Sequence, residues 1–471
     1  MAHDLVLRNG VVVTPTGPIN GGVAVDHGRI VQVGDSSTLG DAHRDIDLDG
    51  RTVLPGLMDP HVHFGFGDDI GDDTMAEDFR HNSKDCLIGG VTTIATTTMT
   101  GRDSLTSLFD RAVAAADGKS SCDYKFTTVV GGRHQIEEIP QVVARGGVSF
   151  KFFTGYIGAQ AEGFGIDPSG ITPDMFFEAG EALAKAGSPV FAAIHAEDPY
   201  VRGILVDRLR AETGAQDHQL VAWGESSPDF AESLQIYTFG LVAQRAGVPL
   251  YPVHVSAAKT VDTIQRMRAD GVNLVGETLA LFLNTTAAEM DAAGMGGKAK
   301  IQPPLRHEAD RERLWKGLAD GTISVVGTDS LTYSSQFKTG ADFWECRVGV
   351  NIQFADTLPL MWHEAVNNGR LDLLTLAKVL SENSARRYGL YPTKGAIAVG
   401  SDADLVVMDP DREVTLGVDR YRGKTDYSLW EGRKVRGAPV MTFLRGELVM
   451  EDGEIVAEKP SGRHLAAVLP V

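Results

Sequence analysis

Pro249-Leu250-Tyr251-Pro252-Val253-His254-Val255 is a short apolar run opened by a proline, and the stretch Ala258–Ala269 behind it has helical period. Val272-Asn273-Leu274-Val275-Gly276-Glu277 then returns to β-type composition. Strand, helix and strand in such close succession predict a parallel pair, because parallel strands need a crossover between them. The pattern continues outward. Apolar β-runs stand at 92–98, 124–130, 147–153, 189–195 and 322–327, with helix-period stretches such as Pro173–Ala186, Asp229–Ala246 and 310–319 between them. About eight such repeats predict an α/β chain with a parallel sheet covered on both faces. Two architectures satisfy this: a (β/α)₈ barrel with insertions, and a doubly wound sheet.

Both chain ends read differently. Leu5–Val13 is β-rich with a turn predicted at Asn9-Gly10, a hairpin signal. Val23–Val25, Gly28 and Ile30–Gly34 repeat that grammar. Near the other end, Ala403–Met408 reads as a strand, and Met441–Met450 as strand, turn, strand. The Gly- and Asp-rich stretch Gly65–Asp73 is expected to be a loop, either a solvated connection or a lid.

The chain has 471 residues, with 44 Lys and Arg against 63 Asp and Glu, hence a net charge of −19. So acidic a surface argues against nucleic acid or anionic lipid as partner. Neither a long apolar run nor a basic-then-apolar leader at Met1 is present, so no membrane span and no secretion are expected. Cys86, Cys122 and Cys346 are odd in number and far apart in sequence, which suits a reducing cytoplasm and no cysteine-type zinc site.

Chemistry concentrates at the predicted strand ends. In Pro55-Gly56-Leu57-Met58-Asp59-Pro60-His61-Val62-His63 the two histidines are two residues apart, so a strand presents both imidazoles on one face. Runs ending at His195, His254 and Asp329 would deliver three more metal-ligating groups to the same barrel mouth. Lys151 lies in Val148-Ser149-Phe150-Lys151-Phe152-Phe153. One reading is a lysine that snorkels to water. The other is a buried amine whose lowered pKa lets it react with carbon dioxide, giving a carbamate able to bridge two metal ions.

Taken together these pieces resemble the amidohydrolase superfamily, in the branch of dihydropyrimidinases, hydantoinases and allantoinases. The matching segments are His61-Val-His63, Lys151 in Lys-Phe-Phe-Thr-Gly-Tyr, His195-Ala-Glu-Asp, Val253-His254-Val-Ser, Gly276-Glu-Thr, Pro303-Pro-Leu-Arg, Gly327-Thr-Asp329 and Val399-Gly-Ser-Asp-Ala-Asp-Leu-Val. The resemblance implies a metal-centred (β/α)₈ barrel over 58–388 and a small β-sandwich built from 1–57 and 389–471. It implies that His61 and His63 bind a buried divalent ion, completed by Asp329. His195 and His254 bind a more exposed one, and carbamylated Lys151 bridges the two. Zinc is the default ion, with manganese or cobalt admitted by the same ligands. The implied reaction is hydrolysis of a cyclic amide by water activated between the ions. Asp329 then serves as general base and acid, and Tyr156 as hydrogen-bond donor to the carbonyl oxygen. A homotetramer is implied as well, to which the tail 459–471 would contribute by packing on a neighbour, the other reading of that tail being a frayed end.

The sequence departs from that pattern in places. Gly65 stands where dihydroorotase-like enzymes carry a carboxylate-binding arginine, which disfavours that activity. The substrate loop reads Gln302-Pro303-Pro304 in place of Ser-Pro-Pro. Around Arg347-Val348-Gly349-Val350-Asn351 the expected ring-contacting asparagine is replaced by Val348 or a neighbour, and the usual Glu-Asp-Arg is missing from 352–356. Gln302, Val348, Gly349 and Tyr156 are thus the expected substrate contacts. Phe64, Phe66, Phe152, Phe153 and Phe164 either line an apolar pocket or pack between loops and barrel. Two alternatives remain: an amidohydrolase for another amide, lactam or carbamate, and a non-catalytic scaffold relative.

Overall fold

The computed structural model describes residues 2–214, 219–351 and 354–467. Five strands come from the N-terminus: β1 (His3–Thr14), β2 (Gly17–Asp26), β3 (Arg29–Gly34), β4 (Ala42–Asp47) and β5 (Thr52–Pro55). Next come β6 (Leu57–Gly67), β7 (Val91–Thr97), β8 (Asp123–Val129), β9 (Ser149–Phe153), β10 (Phe191–His195), β11 (Leu250–Pro252), β12 (Gly276–Leu279) and β13 (Ile323–Gly327). A short β14 (Ser330–Thr332) follows, and the C-terminus adds β15 (Leu405–Thr415), β16 (Lys434–Leu444), β17 (Glu447–Glu451) and β18 (Glu454–Ile455).

Strands β6 to β13 form the (β/α)₈ barrel. Parallel pairing runs in the order β11-β10-β9-β8-β7-β6-β14, and β12 pairs with β13. The seams close through backbone bonds. Leu250 and Val275 bridge β11 to the approach of β12, and the Asp329 amide donates to the His61 carbonyl at 2.9 Å. The helices Pro173–Ala186, Asp229–Ala246 and Ala258–Ala269 occupy the expected stretches, and Glu308–Asp320 embraces the fourth. The two termini build the separate sheet, ordered β18-β17-β16-β15-β5-β1-β2-β3 with β4 on β1. Leu5, Val12, Val23, Val53, Leu405 and Phe443 are part of its own apolar core.

Four expectations are corrected. Asn9-Gly10 is not a hairpin turn. The strand runs through it with a register shift between Leu7 and Gly10, Asn9 taking φ 58°. No Cβ fits at Gly10, which lies against Leu48 and the Arg51 carbonyl, so the pair forms a bulge that keeps β1 in the sheet. The β-run at 272–277 becomes a strand only from Gly276. Val272 and Leu274 are instead buried in the chain entering the barrel, where Leu274 makes a single bridge to Leu250. Gly65–Asp73 is loop only in part, since β6 extends to Gly67 and the helix Asp72–Ile88 begins inside it. The tail does not fray up to 467: Tyr124 and Leu465 exchange backbone hydrogen bonds with Arg463 and Tyr124, packing it on β8 of its own barrel. Residues 468–471 of the tail, and 352–353 of the altered loop, lie outside the described residues. All three cysteines are buried, and Cys86 and Cys122, distant in sequence, lie in the same apolar core.

One buried cation locks the two bodies together. Lys394 Nζ lies 2.6 Å from Asp123 of β8, 2.6 Å from Asp404 and 2.9 Å from Asp402. Arg445 adds a second cation to Asp123 at 2.6 Å. Three carboxylates this close repel unless neutralised, and removing one partner of a buried ion pair costs about 3–5 kcal/mol. Lys394→Ala is expected to lower unfolding free energy by about that amount, read from urea denaturation.

Candidate metal centre and substrate cavity

Strand geometry brings the candidate ligands to the C-terminal mouth of the barrel. His61 Nε2, His63 Nε2 and Asp329 Oδ1 form a triangle with edges of 3.2, 3.2 and 2.9 Å. Two ligands of one ion at about 2.1 Å stand about 3.0–3.4 Å apart, so the triangle fits a single divalent cation. Asp329 and His254 both adopt left-handed backbone, with φ 54° and 41°. Such conformations are disfavoured for non-glycine residues and cluster at functional sites.

Lys151 does not snorkel. It is 1% exposed, and its Nζ lies 3.3 Å from His61 Nε2. Burial lowers its pKa to about 8, against the opposing pull of Asp329 and Glu277. A sizeable neutral fraction at physiological pH is the form that reacts with carbon dioxide. Burial likewise pushes His61 and His254 well below the usual imidazole range, which keeps them neutral as metal ligands must be. Burial alone would raise Asp329, but His61, His63 and Lys151 outweigh it and hold the carboxyl at about 2.

The outer pair sits against this cluster. The His195 and His254 rings are 4.6 Å apart, and His254 stacks on His61 at 5.4 Å. His254 Nδ1 is buried without a hydrogen-bond partner, a nitrogen left available to an ion. His195 Nε2 meets Glu197 at 2.9 Å, and Glu197 in turn accepts from the Ser227 hydroxyl. The motif His195-Ala-Glu-Asp thus resolves into three tasks, for Asp198 caps the helix Pro199–Thr213.

A small cavity, partly open to solvent, stands over the histidines. All four expected substrate contacts line it: Tyr156, Gln302, Val348 and Gly349. The Tyr156 ring packs tilted against His195 at 4.9 Å, and burial raises its phenol pKa, keeping it a proton donor. The phenylalanines divide. Phe66, Phe153 and Phe164 face the cavity, whereas Phe152 packs outward on Phe176 and Phe64 on Phe79. Alternation along β9 explains Phe152 and Phe153. At Gly65 the backbone turns left-handed with φ 89°, and an added Cβ would meet Met75 and Met99 within 3 Å, so no side chain fits there.

The cavity wall around Val348 and Gly349 is staked by two buried lysines. Lys300 Nζ donates to the carbonyls of Phe343, Trp344 and Cys346 at 2.8–3.0 Å. Lys338 Nζ donates to the Lys300 carbonyl at 2.8 Å and to those of Arg347 and Gly349. Arg347 lies 3.9 Å over the Phe337 ring and ties this loop to Gly67. Asn351 faces Thr425, away from the cavity lining.

Several residues with evident roles escaped sequence reading. Glu277 accepts from His61 Nδ1 at 2.8 Å, from Tyr251 at 2.8 Å and from the His254 amide at 3.2 Å. Asp59 receives Thr328 at 2.6 Å, bracing the turn that carries Asp329. Thr97 meets His63 Nδ1 at 3.0 Å. Leu331 and Tyr333 line the cavity just past Asp329. Position at a strand end was the available signal for Glu277 and Thr97.

Comparison with known proteins fits this geometry. Residues 52–449 match the amidohydrolase family, and the chain belongs to it. Within that family it is 29% identical to a D-hydantoinase of Ralstonia pickettii and 30% to an L-hydantoinase of Paenarthrobacter aurescens, each alignment covering 98% of both chains. The crystal structure of a dihydropyrimidinase from Brevibacillus agri superposes with a TM-score of 0.87 at 29% identity, over 98% of each chain.

A carboxylate behind a ligating histidine orients it and raises its basicity. Glu277→Gln is expected to weaken divalent-ion retention about 10–100-fold, measured as bound metal after dialysis against graded chelator.

Proposed function

We propose that this chain hydrolyses the amide bond of a cyclic ureide or related cyclic imide, of the dihydropyrimidine or hydantoin kind, with divalent metal. The observation that carries the reading is the His61, His63 and Asp329 triangle beside buried Lys151, at the floor of a cavity walled by Tyr156 and aromatic side chains. The names of its relatives, hydantoinases and a dihydropyrimidinase, support the cyclic amide as substrate class. His61, His63 and Asp329 would hold one ion, His195 and His254 a second, with carbamylated Lys151 between them. The pair, zinc by default with manganese or cobalt accepted by the same donors, supplies an activated water and polarises the carbonyl when bound.

The remaining chemistry falls to the chain itself. Asp329, ionised at neutral pH, takes the proton of the attacking water and passes it to the leaving nitrogen. Tyr156 donates its phenol proton in a hydrogen bond to the carbonyl oxygen as charge gathers there. Phe66, Phe153 and Phe164 exclude water and receive an apolar ring substituent. The product is a ring-opened carbamoyl amino acid.

The same reading divides the chain into 1–57, 58–388 and 389–471, supported by Gly56, where the chain passes between Thr92 and Asp404 with no room for a side chain. It places the enzyme in the cytoplasm, a reading supported by the three buried cysteines, few and far apart in sequence; no helix among the described residues is long and apolar enough to cross a membrane. It also makes the enzyme a homotetramer. Phe230, Leu234, Tyr237 and Leu241, each at least 45% exposed, form an apolar row on the helix Asp229–Ala246, and Tyr200 and Ile204 are exposed on the helix Pro199–Thr213. Light scattering is expected to report four subunits, and Leu234→Glu with Tyr237→Glu to give smaller species.

The decisive experiment is ring opening on dihydrouracil, hydantoin, a 5-substituted hydantoin, allantoin, succinimide and a simple lactam, with added zinc or manganese and again after chelation. Chelator-sensitive opening of a cyclic ureide is expected. Asp329→Asn is expected to lower kcat by at least about 10³-fold with the far-ultraviolet dichroism unchanged. Silence of the metal-loaded enzyme on every ring, with turnover of a linear amide, would overturn the substrate class.

A further inference from the structure

Gln302 is 5% exposed and lines the cavity, yet neither Oε1 nor Nε2 of its carboxamide has a hydrogen-bond partner. Buried polar groups in folded proteins are nearly always paired, so an amide with both ends open is an exception that asks for a reason. Poor placement is not the reason. The backbone on its N-terminal side is among the most firmly held in the barrel mouth. The Lys300 carbonyl accepts from Lys338 Nζ at 2.8 Å and from the Gly349 amide at 3.1 Å, and the Ile301 carbonyl accepts from Trp223 Nε1 at 2.7 Å. The segment is pinned, the Lys300 ammonium is spent on loop carbonyls, and the Gln302 carboxamide is left unpaired at the cavity.

We propose that the Gln302 carboxamide reads the second amide of the ring, a role that rests on the cyclic ureide reading above. A carboxamide presents one donor and one acceptor side by side. The edge of a cyclic ureide remote from the cleaved bond presents a carbonyl and an N–H, cis to each other and in complementary order. The two edges pair through two hydrogen bonds, Nε2–H to the ring carbonyl and ring N–H to Oε1. Among the described residues of this wall the other polar side chain is Tyr333, whose single hydroxyl does not set a donor and an acceptor side by side as a carboxamide does. Val348 and Leu331 are apolar, Gly349 has no side chain, and Asn351 is turned to Thr425. Gln302 is thereby a specificity-determining residue: it favours rings with two adjoining amides and disfavours simple lactams.

The test uses the metal-loaded enzyme with dihydrouracil and with its derivative methylated on the ring nitrogen that is not cleaved. Two neutral hydrogen bonds correspond to roughly a tenfold to hundredfold effect. Gln302→Leu is expected to raise KM for dihydrouracil by that factor with kcat little changed, since the contact is the same in ground and transition states. The wild-type enzyme is expected to disfavour the methylated ring by a similar factor, and the leucine variant to treat both rings alike. Gln302→Glu, which accepts but does not donate, is expected to fall between. The melting temperature of Gln302→Leu without substrate is expected to equal or exceed wild type, because an unpaired buried amide has been removed. An unchanged KM, or retained discrimination in the leucine variant, overturns the proposal and leaves the cyclic amidase reading standing. A lowered melting temperature overturns it as well, by showing that the amide is already paired within the fold. A metal-loaded wild-type enzyme that opens no cyclic ureide overturns the parent reading and this role with it.

Discussion

The pairing of His61 with Glu277 is the interaction on which the rest of the site depends. A carboxylate with no exposure to water is costly unless donors surround it. Glu277 has three, from His61, Tyr251 and the backbone of His254, and burial still lifts its pKa to about 7. One side chain therefore orients an imidazole at the first strand of the barrel and fixes the left-handed turn at the sixth. The two halves of the candidate centre share a support, and a shift in one is transmitted to the other. Closure of the barrel makes this possible, because β12 delivers its side chains to the mouth between β11 and β13.

Much of the architecture was legible because periodicity is a local property. Runs of buried β-type residues alternate with helical stretches, and the helices Pro173–Ala186, Asp229–Ala246 and Ala258–Ala269 lie where their apolar spacing puts them. The ligand candidates were legible for the same reason: each ends a strand, and parallel strands end together. What failed locally was where tertiary contact overrides turn chemistry. Asn9-Gly10 has the composition of a hairpin turn, but Leu48 and Arg51 crowd it into a bulge. Glu277 and Asp59 were visible as residues and silent as roles, since a carboxylate becomes an orienting group only through a partner two hundred or more positions away.

The rim shows a different solution from the floor. At the floor, charge meets charge. At the rim, Lys300 and Lys338 are buried among backbone carbonyls, and they tie together a loop that carries the short 3₁₀ turns Ser335–Phe337 and Phe343–Glu345. Burial lowers the Lys300 amine to about 8 and also depresses Lys338. Such a loop is held through its backbone, which leaves the side chains of Val348 and the neighbouring Leu331 free to shape the cavity.

The terminal sheet has a consequence for synthesis. β5 pairs with β15, matching Thr52–Pro55 to Met408–Leu405, so neighbours in the sheet are separated by the entire barrel in the chain. As the protein leaves the ribosome, the first five strands emerge with one edge unsatisfied and wait for it to be filled until the last quarter of the chain arrives. An open edge held for that long is a template for pairing with another nascent chain. Completion of the fold is therefore a late, long-range event, and the lock between Lys394 and Asp123 closes only with it. The order of manufacture, more than the chemistry at the barrel mouth, sets when this protein is most exposed to aggregation.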